Sequence, residues 1–271
     1  MPLLHITMND IAASTPHFSY SQTILRNIAN DVLDHARKGG ATACETDISD
    51  GFGQNVTVRR NEVETIEYNR DKGISVTVYI GQKRGHASSS DLSPKAVQET
   101  VAAALSIASH TAADDCAGLA DASLLAQEVP DLDLYFPWAL PVEQAIQLAK
   151  SCEAAAFAVD KHITNSEGAS VSLGQSQFVY ANSLGFMGGY ASSRHSISCA
   201  VIASRNDGMQ RDYWYSVARD PLDLEHAESV GRKAGQRTAA RLGAKKINTC
   251  EVPVLLEAPL ALEEPATERR A

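Results

Sequence analysis

Cysteine is scarce and follows no pairing pattern. Five cysteines (Cys44, Cys116, Cys152, Cys199 and Cys250) are scattered through 271 residues, with no CxxC spacing. An odd, dispersed set argues against a disulfide framework or a four-cysteine zinc site, and reduced thiols predict a cytoplasmic address. Long hydrophobic runs are missing too. Stretches such as Val252 to Leu256 fall far short of the roughly 18–20 apolar residues that cross a bilayer, so no membrane partner is expected. Positive charge is in deficit: 24 Lys and Arg against 33 Asp and Glu leave −9 with His neutral. Nucleic-acid binders carry a basic footprint, because phosphate neutralisation supplies most non-specific affinity, so nucleic acid is an unexpected partner. The opening MPLLHITMNDIAAS has neither a basic region nor a sustained apolar core and does not read as a signal peptide. What remains is ordinary: 44% hydrophobic and 21% charged residues, the composition of a folded globular chain.

Chemical signatures are equally sparse. GxGxxG, GxxxxGK[ST], GxSxG and DxDxDG patterns are all absent, which removes the usual dinucleotide, P-loop, hydrolase-elbow and EF-hand readings. A helical zinc site needs two His about one turn apart. His226, beside Glu225 and Glu228, has no second His, and His162 and His195 are solitary, so each reads as a surface or hydrogen-bonded residue. Arg84-Gly85-His86 and Ser193-Arg194-His195 are the most reactive-looking groups, since Arg next to His can bind a carboxylate or a peptide carbonyl. Solvated strand ends are the plainer reading. Ser88, Ser89 and Ser90 lack a base partner. Tyr213, Trp214 and Tyr215 fit two-sided strand packing, and Tyr135, Phe136 and Trp138 fit anchors that hold a linker to a core. The basic stripe Arg232, Lys233, Arg237, Arg241, Lys245 and Lys246 reads as a solvated helix face rather than a surface for an acidic partner. No catalytic, cofactor-binding or metal-binding residue is assigned to this chain.

Periodicity organises the rest. Ser19 and Gln22 match a capping box ahead of a helix whose apolar residues run from Ile24 to Ala36 and stop at Gly39-Gly40. Period-two runs follow at residues 42–48, 55–60, 63–68, 74–80 and 84–89, with turn-type residues between them at Asp50-Gly51, Asn61-Glu62, Asp71-Lys72-Gly73 and Gly81-Gln82-Lys83. Ser93-Pro94 opens a second helix and Pro141 a third. Further strands are expected at 169–173, 177–181, 195–204 and 210–218, with a hairpin at residues 182–185. A polar helix from Asp220-Pro221 to about Leu242 and a strand at 251–257 close the pattern.

The order of these segments resembles the TldD/PmbA family, specifically its PmbA (TldE) branch. The resemblance rests on Arg59-Arg60-Asn61-Glu62-Val63-Glu64, the strand from Gly73 to Val78, and Gly81 through Arg84-Gly85. Asn165-Ser166-Glu167-Gly168-Ala169, Asn182-Ser183-Leu184-Gly185-Phe186 and Val252-Pro-Val-Leu-Leu-Glu-Ala-Pro-Leu-Ala261 complete it. It covers about residues 20–261, and its specificity lies in the number and order of motifs. The resemblance implies a cytoplasmic bacterial system that matures small peptides and degrades unfolded ones. In it, TldD-like subunits carry an HExxxH zinc motif and PmbA-like subunits pair with them as heterodimers. This sequence contains no HExxxH, so zinc is expected on the TldD-like partner and no cofactor in this chain.

The expectation is therefore an α+β protein: two antiparallel-meander-plus-helix units and the start of a truncated third β-rich domain. Residues 1–18 form a loose arm, 19–110 the first unit, 111–140 a linker, 141–248 the second unit, and 249–271 the start of the third domain with a divergent tail. The expected function is that of a non-catalytic subunit of a peptide-processing metalloprotease (a hydrolase acting in proteolysis), with a TldD-like subunit and peptide substrate as partners. The alternative is a regulatory binding protein of the DNA gyrase modulator type without peptidase chemistry.

Overall fold

A computed structural model describes residues 18–205 and 208–257. Helix α1 (Gln22–Lys38) buries Leu25, Ala29, Val32 and Ala36 along one stripe. Its cap is Ser21, whose Oγ accepts the Ile24 N–H, whereas the expected box began two residues earlier. Ser19 is occupied elsewhere: its backbone N–H donates to Asp50 Oδ2 at 2.6 Å. Helix α2 (Pro94–His110) starts with Ser93 as cap and Pro94 in its first turn, and α3 (Val142–Phe157) starts after Pro141, both as the sequence implies. Helix α4 (Ala227–Ala240) is shorter than its pattern. Asp220 caps only a 3₁₀ turn (Pro221–Asp223); the chain then bonds to the neighbouring strand, where Ser216 Oγ accepts the Glu225 N–H and Trp214 Nε1 donates to Glu225.

Among the described residues, seven strands form one antiparallel sheet: β1 (Ala43–Arg59), β2 (Glu62–Ile80), β3 (Lys83–Ser89), β4 (Ile163–Asn182), β5 (Met187–Gly188), β6 (Ala191–Arg205) and β7 (Gly208–Ala218). Their order is β3-β2-β1-β4-β6-β7, with β5 attached to β4. The α+β class holds. The two expected meanders, however, share this single sheet, because β1 pairs with β4 from Glu45↔Asn182 to Val58↔Ala169.

Several expected strands are halves of longer ones. Residues 42–48 and 55–60 belong to β1, 63–68 and 74–80 to β2, and 169–173 and 177–181 to β4. The supposed turns Asp50-Gly51 and Asp71-Lys72-Gly73 lie opposite one another in mid-strand (Asp50↔Lys72, Gly51↔Asp71). This belt lies between the two helix-covered cores.

Both pairs pack on the same face. Cys44 and Ile48 of β1 join Val76, Val78, Val179 and Ala181 beneath α1 and α2. Val56 and Val58 join Val171, Ile197, Cys199 and Val201 beneath α3 and α4. These β1 positions are all even-numbered, so one face of a long strand serves two cores. Helices α3 and α4 approach closely: a Cβ on Gly231 would run into the Cys152 carbonyl oxygen.

Residues 251–257 do not form the expected strand. They run as irregular chain with Val252, Val254 and Leu255 exposed, since Pro253 lacks an N–H and no described strand pairs with them. Glu257 is held by Arg237 at 3.0 Å. The expected arm, apart from Phe18, and the divergent tail lie outside the described residues.

Candidate functional site

Cross-strand register sorts the sheet's side chains into a face covered by helices and an open face. On the open face lie Glu45, Asp47, Ser49, Gly51, Gly53 and Asn55 of β1. Beside them in register are Asn69 and Asp71 of β2 and Ser172, Gly174 and Ser176 of β4. Ser192 and Arg194 of β6 continue the belt. All of these except Glu45 and Asp47 line a cleft of about 1020 Å³ across the middle of the sheet. The floor is shaped by glycines: a Cβ on Gly53 would strike the Asn69 amide oxygen, so Asn69 lies across β1 only because Gly53 has no side chain. Ser176 and Ser192 hydroxyls meet at 3.1 Å on the rim. Glycine, serine, asparagine and a few charges make a surface that another polypeptide backbone can approach and hydrogen-bond.

One end of the open face carries a titratable cluster. Glu45 accepts from Tyr79 Oη at 3.0 Å and from Tyr180 Oη at 2.9 Å. Burial, then the Glu45 carboxylate, raises the Tyr79 phenol pKa, and the same two influences act upward on Tyr180. Burial also raises the Asp47 carboxyl. Thr77 Oγ1 and His86 Nδ1 lie 3.1 Å apart nearby.

The two reactive-looking tripeptides are each divided by strand alternation. Gly85 faces α2, where a Cβ would meet the Ala104 carbonyl, while Arg84 and His86 take the open face. Ser193 and His195 face inward and Arg194 outward. Ser193 Oγ accepts the Phe136 N–H at 2.9 Å, and His195 Nε2 donates to the Phe136 carbonyl at 2.9 Å. Trp138 stacks edge-on against His195 at 5.4 Å, and Tyr135 donates to Gln175 at 2.7 Å, so these linker aromatics are anchors. Tyr213 and Tyr215 depart from the packed reading: they stack on one another on the open face and stay about half exposed, while Trp214 packs inward. Part of the basic stripe is tied within the chain. Lys233 sits 3.5 Å over the Trp214 ring, and Arg237 and Arg241 both reach Asp212. His162 pairs with Asp160 at 2.7 Å, and His226 caps α4 through its backbone position.

Among the described residues, no three His, Cys, Asp or Glu side chains cluster to hold a metal. Nor is any described helix long and apolar enough to cross a membrane.

The sequence matches the PmbA/TldA metallopeptidase domain 1 over residues 44–108 and the PmbA/TldA metallopeptidase central domain over residues 135–242. These matches define the class, a chain built of PmbA/TldA metallopeptidase domains, and both stretches contribute strands to the one shared sheet. It belongs to the PmbA/TldD family. Metalloprotease PmbA of Escherichia coli O157:H7 is 43% identical over 232 residues, which cover 86% of this chain and 51% of that one. A PmbA homolog of Haemophilus influenzae is 39% identical over 242 residues, covering 89% and 53% respectively. The chain thus spans about half the length of the curated relatives it matches. Its fold is similar to a crystal structure from Bacteroides thetaiotaomicron named as a candidate modulator of DNA gyrase (TM-score 0.75, 24% identity, covering 82% of this chain and 51% of that one). It is also similar to TldE from Thermococcus kodakarensis (TM-score 0.62, 14% identity, 78% and 47%).

The cleft residues escaped sequence reasoning, although a signal was present. Asp50-Gly51, Asp71-Lys72-Gly73 and Gly174-Gln175-Ser176 interrupt three period-two runs, and in register they form one belt.

Proposed function

We propose that this chain is the non-catalytic subunit of a cytoplasmic PmbA/TldD-type metalloprotease, and that its open sheet face lines the chamber admitting peptide. One observation carries the reading: in a chain of this family, the centre of the sheet is a broad cleft floored by Gly51, Gly53 and Gly174 and edged by hydrogen-bonding side chains. Glycines let an extended peptide backbone lie close to the floor. Asn55, Asn69 and Ser172 offer amide and hydroxyl partners, and Arg194 suits a carboxylate. A zinc on a TldD-like partner supplies water activation and carbonyl polarisation. This chain binds, orients and shields the peptide.

The test mixes the chain with a TldD-like subunit, follows co-elution by size exclusion, and assays unfolded-peptide cleavage. The reading expects a joint peak and cleavage that needs both proteins. Separate elution with no gain in cleavage sinks it. Salt-sensitive DNA or gyrase binding by the isolated chain would favour the regulatory reading instead. The net charge of −9 and the pairing of Arg237 and Arg241 with Asp212 weigh against that alternative.

A further inference from the structure

Half of β2 has a neighbour on one side only. β3 pairs with β2 from Ile74↔Ser89 to Ile80↔Lys83, so among the described residues the outer edge of 62–73 is open, and residues 62–72 are all exposed. Three of them are apolar: Val63, Ile66 and Tyr68 are 41%, 45% and 56% exposed. A long edge with free backbone groups and apolar side chains templates another strand, and proteins ordinarily blunt or cover it. This one contains no proline, and its only register shift lies at the hairpin end, opposite Thr57/Val58.

We propose that this edge pairs antiparallel with the same edge of a second copy of the chain, in the register that sets Tyr68 opposite Tyr68. The segment reads EVETIEYNRDK, with acids towards its start and bases towards its end. About a two-fold axis at Tyr68, Glu64 of each copy faces Lys72 of the other. Ile66 faces Arg70, Glu67 faces Asn69, and Thr65 faces Asp71. No like charges oppose, and opposite charges directly across strands stabilise pairing. Moving the axis to Glu67 sets that carboxylate against itself, and moving it to Ile66 loses the Glu64–Lys72 pair, leaving Glu64 opposite Tyr68 and Lys72 opposite the hairpin turn. Parallel pairing would put acid beside acid. The joined edges make the two sheets one, and their open faces one continuous surface. The inference does not depend on the peptidase reading.

Sedimentation velocity on the whole chain, with charge exchange, tests it. A concentration-dependent dimer is expected. Lys72→Glu and Glu64→Lys should each weaken it by roughly tenfold, and combining them should restore it. Each substitution disturbs a different internal contact (Lys72 over the Tyr20 ring, Glu64 beside Arg59), so recovery in the double variant reports pairing between copies. In a Cys116→Ser, Cys250→Ser background, Tyr68→Cys should cross-link on oxidation. Ile66→Cys, two residues off the axis in each copy, should not, because its partner lies beyond disulfide reach. A monomer at every concentration, a dimer indifferent to the charge variants, or cross-linking through Ile66→Cys in place of Tyr68→Cys overturns the proposal.

Discussion

The Glu153 carboxylate reaches from α3 to the tip of the β1–β2 hairpin, where Oε2 accepts the Asn61 backbone N–H at 2.8 Å and Oε1 accepts that of Arg60 at the same distance. Both turn residues have left-handed backbones (φ 54° and 62°), as a tight two-residue hairpin requires. Glu153 is buried and far away in sequence, so it fixes the hairpin's position relative to the second helix pair. Glu153→Ala strands two N–H groups. It should lower unfolding free energy by about 2–3 kcal/mol in urea titrations, whereas Asn61→Gly should stay near wild type. A near-neutral Glu153→Ala would show that the bond is dispensable.

The contact between α3 and α4 tolerates no extra methyl at Gly231, because its place is taken by the Cys152 carbonyl and the Ala155 methyl. Gly231→Ala should destabilise by about 1–3 kcal/mol despite alanine's better helix propensity. Thermal melts of the variant check this, and an unchanged midpoint would mean the helices separate freely.

His195 links stability to pH. Burial lowers its imidazole pKa, and the Phe136 hydrogen bond and Asp220 oppose this only in part. The folded value therefore lies below the unfolded one, near pH ~6.5, so the unfolded chain takes up the proton first. This contribution is complete above that pH and shrinks as pH falls towards the folded value. His195→Gln, which keeps an N–H for Phe136, should flatten that part of the stability–pH curve. An identical slope in both proteins would remove His195 as its source.

Thiol reactivity should divide the cysteines. Cys116 and Cys250 are exposed, while Cys44, Cys152 and Cys199 are buried. Burial and then Glu45 push the Cys44 thiol up to about 12, and a hydrogen bond with Cys152 together with burial raises the Cys199 thiol as well. Only the thiolate reacts, so a disulfide reagent should titrate two groups in the native protein and five in denaturant. Rapid native labelling of a third would contradict the packing.

The cleft floor offers a functional test. A Cβ on Gly51 would meet its nearest atom, the Gln175 carbonyl, at an ordinary 3.5 Å, so Gly51→Leu should fold and project into the cleft. Cleavage by the mixture with a TldD-like subunit should then fall by roughly tenfold or more, chiefly through KM. Unchanged kinetics would place the peptide elsewhere.

Local chemistry made some of this legible. The stripe from Leu25 to Ala36, the Ser93-Pro94 start and the Pro141 start needed only helical spacing and capping rules. Cap positions were less secure, because Ser19 and Ser21 both suit a cap and only the long-range bond from Ser19 to Asp50 separates them. Asp50 itself misled: Asp-Gly is a turn signal, yet this carboxylate is buried in mid-strand and accepts N–H groups from Ser19 and Tyr20. The cleft was hidden for the same reason, since its residues are those that also make turns.

By itself, the sequence determined that the chain is an α+β protein with TldD/PmbA affinities, that it lacks HExxxH, and where its main helices start. These follow from composition, from motif order and from interactions within a few residues. Only the tertiary structure decided that both halves share one sheet, that three strands run unbroken through turn-like belts, and that those belts align as a cleft. Strand pairing joins residues more than a hundred positions apart, as in Val58↔Ala169, and no local period records which strands will meet.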